Sequence, residues 1–238
     1  SSENPNLQNI PTWDGVAGEI RSAFIPYNET DTIVACDYSQ IEIRLLALMS
    51  GDENLLKAFR ENIDIHLNTA RFIFWKEQIS STERKYAKAV NFGVIYGISP
   101  FWLSEMLGIS RADAKNYIDT FYQNYPQVRE FFDWLIASCK EKGYVETMFW
   151  RRRYIPGVND SNKMIASGAE REAMNMPIQW TSADIIKIAM IRIHKYLKEN
   201  NLESKLIMQV HDELVFNVTK EEKGKLLPII KEIMENII

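Results

Sequence analysis

The sequence has few of the residues that build redox, metal or membrane sites. Its 238 residues include only two cysteines, Cys36 and Cys139. These are far apart and lack metal-ligand spacing, so we expect two reduced core thiols rather than a disulfide or a zinc site. Apolar runs such as LLALM at 45–49 and LLPII at 226–230 are too short to span a bilayer. The polar start, SSENPNLQNIP, lacks the regions of a signal peptide, so we expect an intracellular protein with no membrane partner.

An excess of positive charge is also missing. The chain carries 28 Lys and Arg against 32 Asp and Glu, a formal net charge of −4. This balance argues against a protein that binds nucleic acid through overall charge, so a polyanion would need a local basic site. Two candidates are RKYAK at 84–88 and RRR at 151–153, although such clusters are more often solvated surface.

Apolar residues, by contrast, make up 46% of the chain, which is ample for a globular core. TIVACD at 32–37 is typical of a short buried strand. The segment that follows it predicts a helix with Ile41, Leu45 and Leu48 on one stripe, and Gly51 is expected to end that helix. An acid, Asp37, therefore ends a strand just before a helix begins.

The patterns from residue 53 to about residue 142 are helical. The amphipathic segments are ENLLKAFRE, DIHLNTARFIF, STERKYAKAVNFGVIYG, RADAKNYIDTFYQNY and PQVREFFDWLIASCKEKG. Residues 144–149 look extended, and helical patterns follow on both sides of Pro177. A hairpin then leads to a final helix that is predicted to break or kink at Pro228. The strand with Asp37 and this hairpin are candidates for neighbours in one antiparallel sheet.

Asp37 allows two interpretations. An ionised carboxylate directly after an apolar strand is costly unless something pairs with it. On the other hand, Asp and Ser favour helix starts, and Ser39 and Glu42 have the spacing of a capping box. From this segment alone the helix cap is the favoured interpretation.

The hairpin carries a second unusual acid. QVHDELVF at 209–216 places His211, Asp212 and Glu213 between two apolar arms. Asp is common in turns, so a turn preference explains part of this pattern. If Asp212 and Asp37 meet across one sheet, however, their repulsion would call for cations, and two Mg²⁺ ions would resolve it while supporting phosphate chemistry.

One helical row in the insertion suits a phosphate substrate. Arg84 and Lys88 are one turn apart, and Phe92 and Tyr96 continue the same row. Arg and Lys suit a triphosphate, and a ring one turn further suits a sugar or base. For any one of these residues, an ordinary amphipathic helix is the more frequent explanation.

Taken together, three segments resemble the polymerase motifs A, B and C of the DNA polymerase I family, known as family A. They are DYSQIEIRLLALMSGDEN (37–54), RKYAKAVNFGVIYG (84–97) and QVHDELV (209–215). Further similar stretches are PNLQNIP (5–11), DIH (64–66), YVETMFWRRRYIP (144–156) and NMPIQ (175–179). The resemblance therefore covers essentially the whole chain.

The resemblance implies an α+β fold with the right-hand architecture of a polymerase. The palm, an antiparallel sheet with helices, would comprise residues 1–51 and 144–238, and a mostly helical fingers subdomain would comprise residues 52–143. The thumb would be absent, as would the segments that flank this region in the family. A fragment of a larger polymerase is therefore expected.

The resemblance also implies the catalytic residues. Asp37 and Asp212 would hold two Mg²⁺ ions, with Mn²⁺ as a substitute, and the backbone carbonyl of Tyr38 would be a further metal ligand. Glu213 would be an accessory acid, and Lys88 would protonate the departing pyrophosphate.

A second implied group binds the incoming deoxynucleotide. Its members are Tyr38, Gln40, Glu42, His66, Arg84, Lys88, Phe92 and Tyr96. Arg84, Lys88 and His66 would hold the triphosphate. Glu42, held by Tyr96, would exclude a 2′-hydroxyl, and this role displaces the capping-box interpretation.

The implied contacts to primer-template DNA come from polar residues spread along the chain. They are Asn6, Asn9, Arg153, Arg171, Gln179 and His211. Where the family usually has glycine, this sequence has Trp150 and Trp180, which puts the template contacts of this region in doubt.

Three hypotheses follow. The first is a DNA-directed DNA polymerase core, and the second is a DNA-binding fragment that needs missing segments for activity. The third is a single-subunit RNA polymerase, against which Glu42 argues because a ribonucleotide needs space for its 2′-hydroxyl.

Overall fold

The structure, a computed structural model, describes residues 19–238 except for the side chains of Ile20 and Arg21. Asn6 and Asn9 lie outside the described residues. In this part of the chain the strands are β1 (Thr32–Asp37), β2 (Tyr144–Glu146), β3 (Arg152–Tyr154), β4 (Lys205–Val210) and β5 (Glu213–Val218). The helices are α1 (Ile41–Ser50), α2 (Glu53–Arg60), α3 (Ile65–Phe74), α4 (Ser81–Ile95), α5 (Pro100–Leu107), α6 (Arg111–Asn124), α7 (Pro126–Lys142), α8 (Lys163–Glu199) and α9 (Lys223–Glu235). Short 3₁₀ turns occur at Ile20–Ala23 and Pro156–Asn159. This mixture of helices and small antiparallel sheets confirms the α+β class.

The chain divides into two compact units. One comprises the described residues up to Ser39 together with Ala183–Ile238, and the other is Gln40–Ser182. The division predicted from the sequence falls after residues 51 and 143 instead. The names palm and fingers therefore stay a prediction.

The first unit contains a three-stranded antiparallel sheet. Its strand order is β1-β5-β4, and β1 pairs with β5 from Thr32 opposite Val218 to Asp37 opposite Glu213. The predicted pairing of strand and hairpin is confirmed. The expectation of a buried β1 is wrong. Among the described strands β1 lies at an edge of the sheet, and its residues are half-buried except for Ala35 and Asp37, which are exposed, whereas the central strand β5 is buried along most of its length.

The second unit is mostly helical, and its sequence explains where several helices begin and end. Asp52, Asp64 and Ser80 accept backbone hydrogen bonds at the starts of α2, α3 and α4. Gly51 and Gly143 end α1 and α7 in the left-handed conformation that glycine tolerates best. The predicted ends at both glycines are confirmed.

Helix α5 was not anticipated from the sequence, although its signals are present. Ser99 caps it, Pro100 occupies its first position and Gly108 closes it. The helix has only eight residues and its sequence, PFWLSEML, is apolar nearly all round. Periodicity therefore could not reveal it.

Two prolines lie inside helices. The prediction that Pro177 separates two helices is wrong, because Pro177 lies inside the continuous helix α8. Pro228 does not break α9, and a kink there stays a prediction. A proline inside a helix removes one hydrogen bond and costs about 3 kcal/mol. Burial of neighbours such as Ile178 and Ile230, both with no exposed surface, offsets part of that cost, since tertiary packing supplies most helix stability in proteins.

The predicted stripe of helix α1 is also only partly correct. Ile41 and Leu45 are buried, but Leu48 is 47% exposed, and Ile43 and Leu46 are buried instead. The apolar surface of α1 is broader than one stripe, so the sequence pattern alone did not select the buried face.

The expectation of two reduced core thiols is met in part. Cys36 and Cys139 are both free thiols, but only Cys139 is buried, in a small core with residues such as Val145 and Ile155. Across residues 19–238, none of the helices combines the length and apolar character that a bilayer crossing requires.

Candidate functional site

Three acids meet at one end of the sheet in the first unit. Asp37 ends β1 directly opposite Glu213, the first residue of β5. The backbone N–H of Tyr38 donates to the carbonyl oxygen of Asp212 at 3.2 Å, which brings the turn of the hairpin against the end of β1. Acids 175 positions apart in sequence are thus held together by the pairing of two strands.

Partial burial and the charges of Asp212 and Glu213 change the pKa of Asp37. The pKa of Asp37 is raised above its usual value, first because part of the carboxyl is desolvated and then because the charges of Asp212 and Glu213 are close. The side chains of Asp37 and Asp212 also lie within hydrogen-bonding distance. Like charges in this arrangement favour either a shared proton or a bound cation.

The chemistry of these groups fits a hard divalent cation. Carboxylate and backbone carbonyl oxygens are the ligands that Mg²⁺ takes in proteins, and Asp37, Asp212 and the carbonyl of Tyr38 supply this donor type. Among residues 19–238 there is no cluster of three or more His, Cys, Asp or Glu side chains placed to hold a metal ion. The fit therefore rests on two carboxylates and a carbonyl. Tyr38 is anchored by its hydroxyl, which donates to the carbonyl oxygen of Met234 at 2.9 Å.

His211 occupies the turn between β4 and β5. Its φ of +53° is in the left-handed region, and its side chain is exposed. The side-chain amide of Gln209 donates to the carbonyl oxygen of His211 at 3.0 Å, which stabilises the turn. The imidazole is therefore presented to solvent beside Asp212.

The cationic row predicted in the second unit lies on helix α4. A capping box of Ser80 and Glu83 begins this helix, and Ala87, Val90 and Val94 are buried on its inner face. Arg84 and Lys88 are exposed. The two cations are therefore not needed for burial in the core.

Each cation has a neighbour that positions it. Arg84 donates from Nε and Nη2 to one carboxylate oxygen of Asp64, at 3.0 and 2.7 Å. Desolvation acts to raise the pKa of Asp64, but hydrogen bonds from the backbone of Leu67 and from Arg84 outweigh it, and the pKa lies below its usual value. The ammonium of Lys88 lies 5.9 Å from the centre of the Phe92 ring. Asp64, which the sequence argument missed, precedes His66 and caps α3.

His66, which is predicted to help hold the triphosphate, is almost fully buried. It is only 3% exposed, its Nδ1 lies 2.9 Å from Nδ2 of Asn91, and its ring packs at a tilt against Phe92. Burial lowers the pKa of His66 to about 4. The ring is therefore neutral at physiological pH and could offer a triphosphate a hydrogen bond but no charge.

This pKa predicts a pH-dependent loss of stability. Since the unfolded chain binds a proton on His66 near pH 6.5 while the folded chain resists it down to about pH 4, stability falls as the pH drops through that window. Between pH 7 and pH 5, His66 should contribute a decrease of about 2 kcal/mol in the free energy of unfolding. Denaturant unfolding of His66→Gln should lack this decrease. His194→Gln, at an exposed histidine, should retain it, and equal pH dependence in both variants would contradict the assignment.

Glu42 has the partner that the resemblance implied. The hydroxyl of Tyr96 donates to Oε1 and Oε2 of Glu42, at 3.2 and 3.1 Å. Burial and the charge of Glu42 raise the pKa of Tyr96 to about 12, so this hydroxyl stays a donor. Gln40 occupies the N-cap position of α1, at a φ of +55° and without a capping bond from its own side chain.

A cavity of about 480 Å³ opens beside the end of α4. Its walls include Phe92, Tyr96, Trp102 and Arg171. A side chain at Gly97 would meet the aliphatic part of Arg171 at 2.8 Å, so this close approach requires glycine. Nη1 of Arg171 donates to the hydroxyl of Ser167 at 3.0 Å.

The remaining predicted nucleic-acid residues lie on α8 and on β3. Gln179 is half-buried on α8 and Arg153 is exposed on β3. Trp180, which stands where the family usually has glycine, lies under two guanidinium groups, those of Arg151 at 4.2 Å and Arg153 at 5.4 Å from ring centroids. Trp150 is 80% exposed.

The comparison with protein families agrees with this geometry. The model of DNA polymerase family A matches residues 1–238. The chain belongs to that family.

Individual relatives are known from bacteria. The chain is 47% identical to DNA polymerase I of Streptococcus pneumoniae serotype 4 over 241 residues and 45% identical to DNA polymerase I of Bacillus caldotenax over 240 residues. Each match covers the whole chain but only 28% and 27% of the relative. A solved structure, the POL domain of Pol1 from M. smegmatis in complex with DNA primer-template and dNTP, is similar with a TM-score of 0.92 and 38% identity. That match covers all of this chain and 42% of the solved one.

Proposed function

We propose that this chain is the catalytic part of a DNA-directed DNA polymerase. In the reaction, the 3′-hydroxyl of a primer attacks the α-phosphate of a deoxynucleotide, and pyrophosphate leaves. The observation that carries the proposal is the meeting of Asp37 with Asp212 at the end of paired strands, where the pKa of Asp37 is raised. Family membership and the primer-template and dNTP present in the M. smegmatis relative support it.

Asp37 and Asp212 are proposed to be the metal ligands of this reaction. Their close carboxylates, with the carbonyl of Tyr38, form an oxygen donor set in which each charge disfavours the other until a cation neutralises both. When bound, two Mg²⁺ ions, or Mn²⁺ in their place, would lower the pKa of the attacking hydroxyl and stabilise the departing oxygen. Glu213, opposite Asp37, adds negative charge beside the ligands.

Arg84 and Lys88 are proposed to bind the triphosphate. Arg84 already presents a fork of donors to one carboxylate oxygen, and the same fork suits phosphate oxygens. A triphosphate would compete with Asp64 for these donors. Lys88 is exposed one turn further along α4, where its ammonium can donate a proton to pyrophosphate as it leaves.

Glu42 and Tyr96 are proposed to select the sugar. Both oxygens of the carboxylate accept from one phenol, so the Glu42 side chain is held in one place rather than free to move aside. A held side chain excludes a 2′-hydroxyl more effectively than a mobile one, because yielding would break the hydrogen bonds. Phe92, beside Lys88 and His66, supplies a ring for the sugar.

Primer extension tests the proposal directly. The chain is incubated with Mg²⁺, a primer annealed to a defined template, and either deoxynucleotides or ribonucleotides. We expect extension with deoxynucleotides only. Extension with ribonucleotides at equal efficiency would instead favour an RNA polymerase.

A second candidate function is a DNA-binding fragment that is active only in a larger assembly. The observation that favours it is that the chain spans about 28% of the length of its curated relatives. Under this alternative the chain binds primer-template duplex but extends no primer, even at high protein concentration. The palm and fingers assignments apply to both candidates, with Asp37 and Asp212 in the palm and α4 in the fingers.

Lys88→Ala should reduce the catalytic efficiency with deoxynucleotides by about tenfold to a hundredfold. A hydrogen bond to a charged group contributes about 1.5–3 kcal/mol, and Lys88 would lose both a phosphate contact and a proton donor. The matched control is Lys85→Ala, which removes an exposed lysine from the same helix. Steady-state kinetics of single-nucleotide incorporation provide the measurement, and equal losses in both variants would refute a specific role for Lys88.

A further inference from the structure

A short hairpin in the second unit has a firmly held tip. Strands β2 and β3 pair with Glu146 opposite Arg152. At the tip, the N–H of Trp150 donates to the carbonyl oxygen of Thr147 at 3.0 Å, and the N–H of Thr147 donates to the carbonyl oxygen of Arg151 at 3.0 Å. The buried hydroxyl of Thr147 accepts from the N–H groups of Phe149 and Arg151, both at 3.2 Å. The backbone around Trp150 is therefore well defined.

Trp150 has a backbone conformation that is unfavourable for tryptophan. Its φ of +64° lies in the left-handed region, which is unfavourable for a side chain with a Cβ and natural for glycine. The indole is 80% exposed, so burial does not compensate for this conformation. A strained residue that contributes nothing to the core is a reason to look for a role outside it.

The guanidinium groups beside Trp150 are arranged on both faces of the hairpin. Arg151 and Arg153 lie over the ring of Trp180 on one face. On the other face, Arg152 lies 4.6 Å from the centre of the Tyr144 ring and pairs with Glu146 at 2.9 Å. Stacking on rings reduces the freedom of the guanidinium groups while Arg152 and Arg153 remain exposed. Arg153 also pairs with Glu172 at 3.9 Å, so phosphates would compete with Glu146 and Glu172 for these two cations. The exposed indole is thus followed in the sequence by cations that are already ordered.

We propose that this hairpin tip binds single-stranded nucleic acid, with an unpaired base stacked on Trp150 and the neighbouring phosphates paired with Arg152 and Arg153. An exposed ring beside exposed cations is the combination that binds single strands without reading sequence. The site extends the predicted contact of Arg153 with primer-template DNA to an unpaired base on Trp150, and it takes part in no chemical step of the proposed function. It rests on that function only for the choice of nucleic acid as the polyanion.

The chain contains a matched control for this site. Trp75 is also a tryptophan in the left-handed region, at a φ of +53°, and it is 85% exposed. Trp75 lies outside this hairpin, and in the sequence around it Lys76 pairs with Glu83 at 2.6 Å and Arg71 pairs with Glu77. Trp75→Gly therefore removes the same kind of side chain and the same kind of backbone strain at a position that is not followed by Arg152 and Arg153.

The test measures the affinity of the chain for a labelled single-stranded deoxythymidine dodecamer by fluorescence anisotropy at low salt. Stacking of one base predicts that Trp150→Gly weakens binding by about tenfold or more, that Trp150→Phe retains most of the affinity, and that Trp75→Gly binds as the unsubstituted chain does. Thermal unfolding of each variant checks folding. Glycine at position 150 should not lower the unfolding temperature, since its conformation suits glycine.

The opposing outcomes are equally definite. Unchanged affinity in Trp150→Gly, an equal loss in Trp75→Gly, or no binding by the unsubstituted chain would each overturn the proposal. So would an equal dependence on Trp150 when inorganic polyphosphate, which has no bases, replaces the oligonucleotide. No nucleotide or Mg²⁺ is added, so the result is independent of catalysis. A chain that extends no primer but binds the oligonucleotide through Trp150 refutes only the polymerase proposal, and the converse result refutes only this site.

Discussion

Asp212→Asn should reduce primer extension by about a thousandfold or more while binding of primer-template DNA is largely retained. The substitution keeps the size and hydrogen-bonding capacity of the side chain but removes the charge that a metal ion requires. Stabilisation of transition-state charge by metal ions is worth several kcal/mol, and each 1.36 kcal/mol corresponds to a factor of ten in rate. Extension assays with Mg²⁺ provide the rate, and anisotropy of labelled duplex provides the affinity.

The same variant has a second readout that needs no activity. The charge of Asp212 is one of the causes that raise the pKa of Asp37, so removing it should lower the pKa of Asp37 toward its ordinary value. A carboxylate whose pKa is raised by folding destabilises the folded state once the pH exceeds its unfolded pKa. Without divalent cations, Asp212→Asn should therefore be more stable than the unsubstituted chain at pH 7, and NMR titration should show the lowered pKa.

The matched control for Asp212 is Asp133→Asn, which alters an exposed aspartate paired only with Arg129 on the helix surface. It should extend primers normally. Normal extension by Asp212→Asn, or an unchanged pKa of Asp37, would refute the assignment of these two acids as a metal-binding pair.

The second large effect is expected at Glu42. Glu42→Ala should increase the use of ribonucleotides relative to deoxynucleotides by about tenfold to a hundredfold, because it removes the side chain proposed to clash with a 2′-hydroxyl. Forcing extra atoms into a filled site costs about 1–3 kcal/mol, which corresponds to that range. The measurement is the ratio of catalytic efficiencies for matched deoxy- and ribonucleotides.

Tyr96→Phe tests whether Glu42 must be held in place to select the sugar or need only be present. This variant keeps the ring and the carboxylate but removes the hydroxyl that donates to both carboxylate oxygens. We expect a smaller rise in ribonucleotide use than in Glu42→Ala. Glu105→Ala, at an exposed helical position, is the control and should leave the ratio unchanged. Unchanged sugar selectivity in Glu42→Ala would contradict the proposal that Glu42 excludes a 2′-hydroxyl.

Local patterns explain why much of this structure could be anticipated. Helix α4 is the clearest example, because the 3.6-residue repeat separates Arg84 and Lys88 from Ala87, Val90 and Val94 whatever the rest of the chain does. Helix ends at Gly51 and Gly143 were also predictable, since a left-handed closing residue favours glycine. Such features depend on neighbours within a few residues.

Features that depend on distant neighbours were predicted poorly. Spacing alone favoured Ser39 and Glu42 as a capping box, but Tyr96, 54 residues away, binds Glu42 in the folded chain. The sequence shows His66 as an ordinary titratable residue, and its pKa is lowered to about 4 only by burial in the folded chain, where it packs against Phe92. Pro177 stops a helix in isolation but not where its neighbours are packed.

By itself, then, the sequence determined the family and the face of α4 that carries Arg84 and Lys88, because motifs and periodicity are carried by short segments. Only the tertiary structure decided which titratable groups have shifted pKa values and which side chains are fixed by hydrogen bonds or ring contacts. Asp212 helps to raise the pKa of Asp37 because strand pairing closes a gap of 175 positions. The positions of Arg152 and Arg153 likewise depend on contacts with aromatic rings from other elements, namely Tyr144 of β2 and Trp180 of α8. Electrostatic and packing energies depend on distances in space, and those distances are set by the fold.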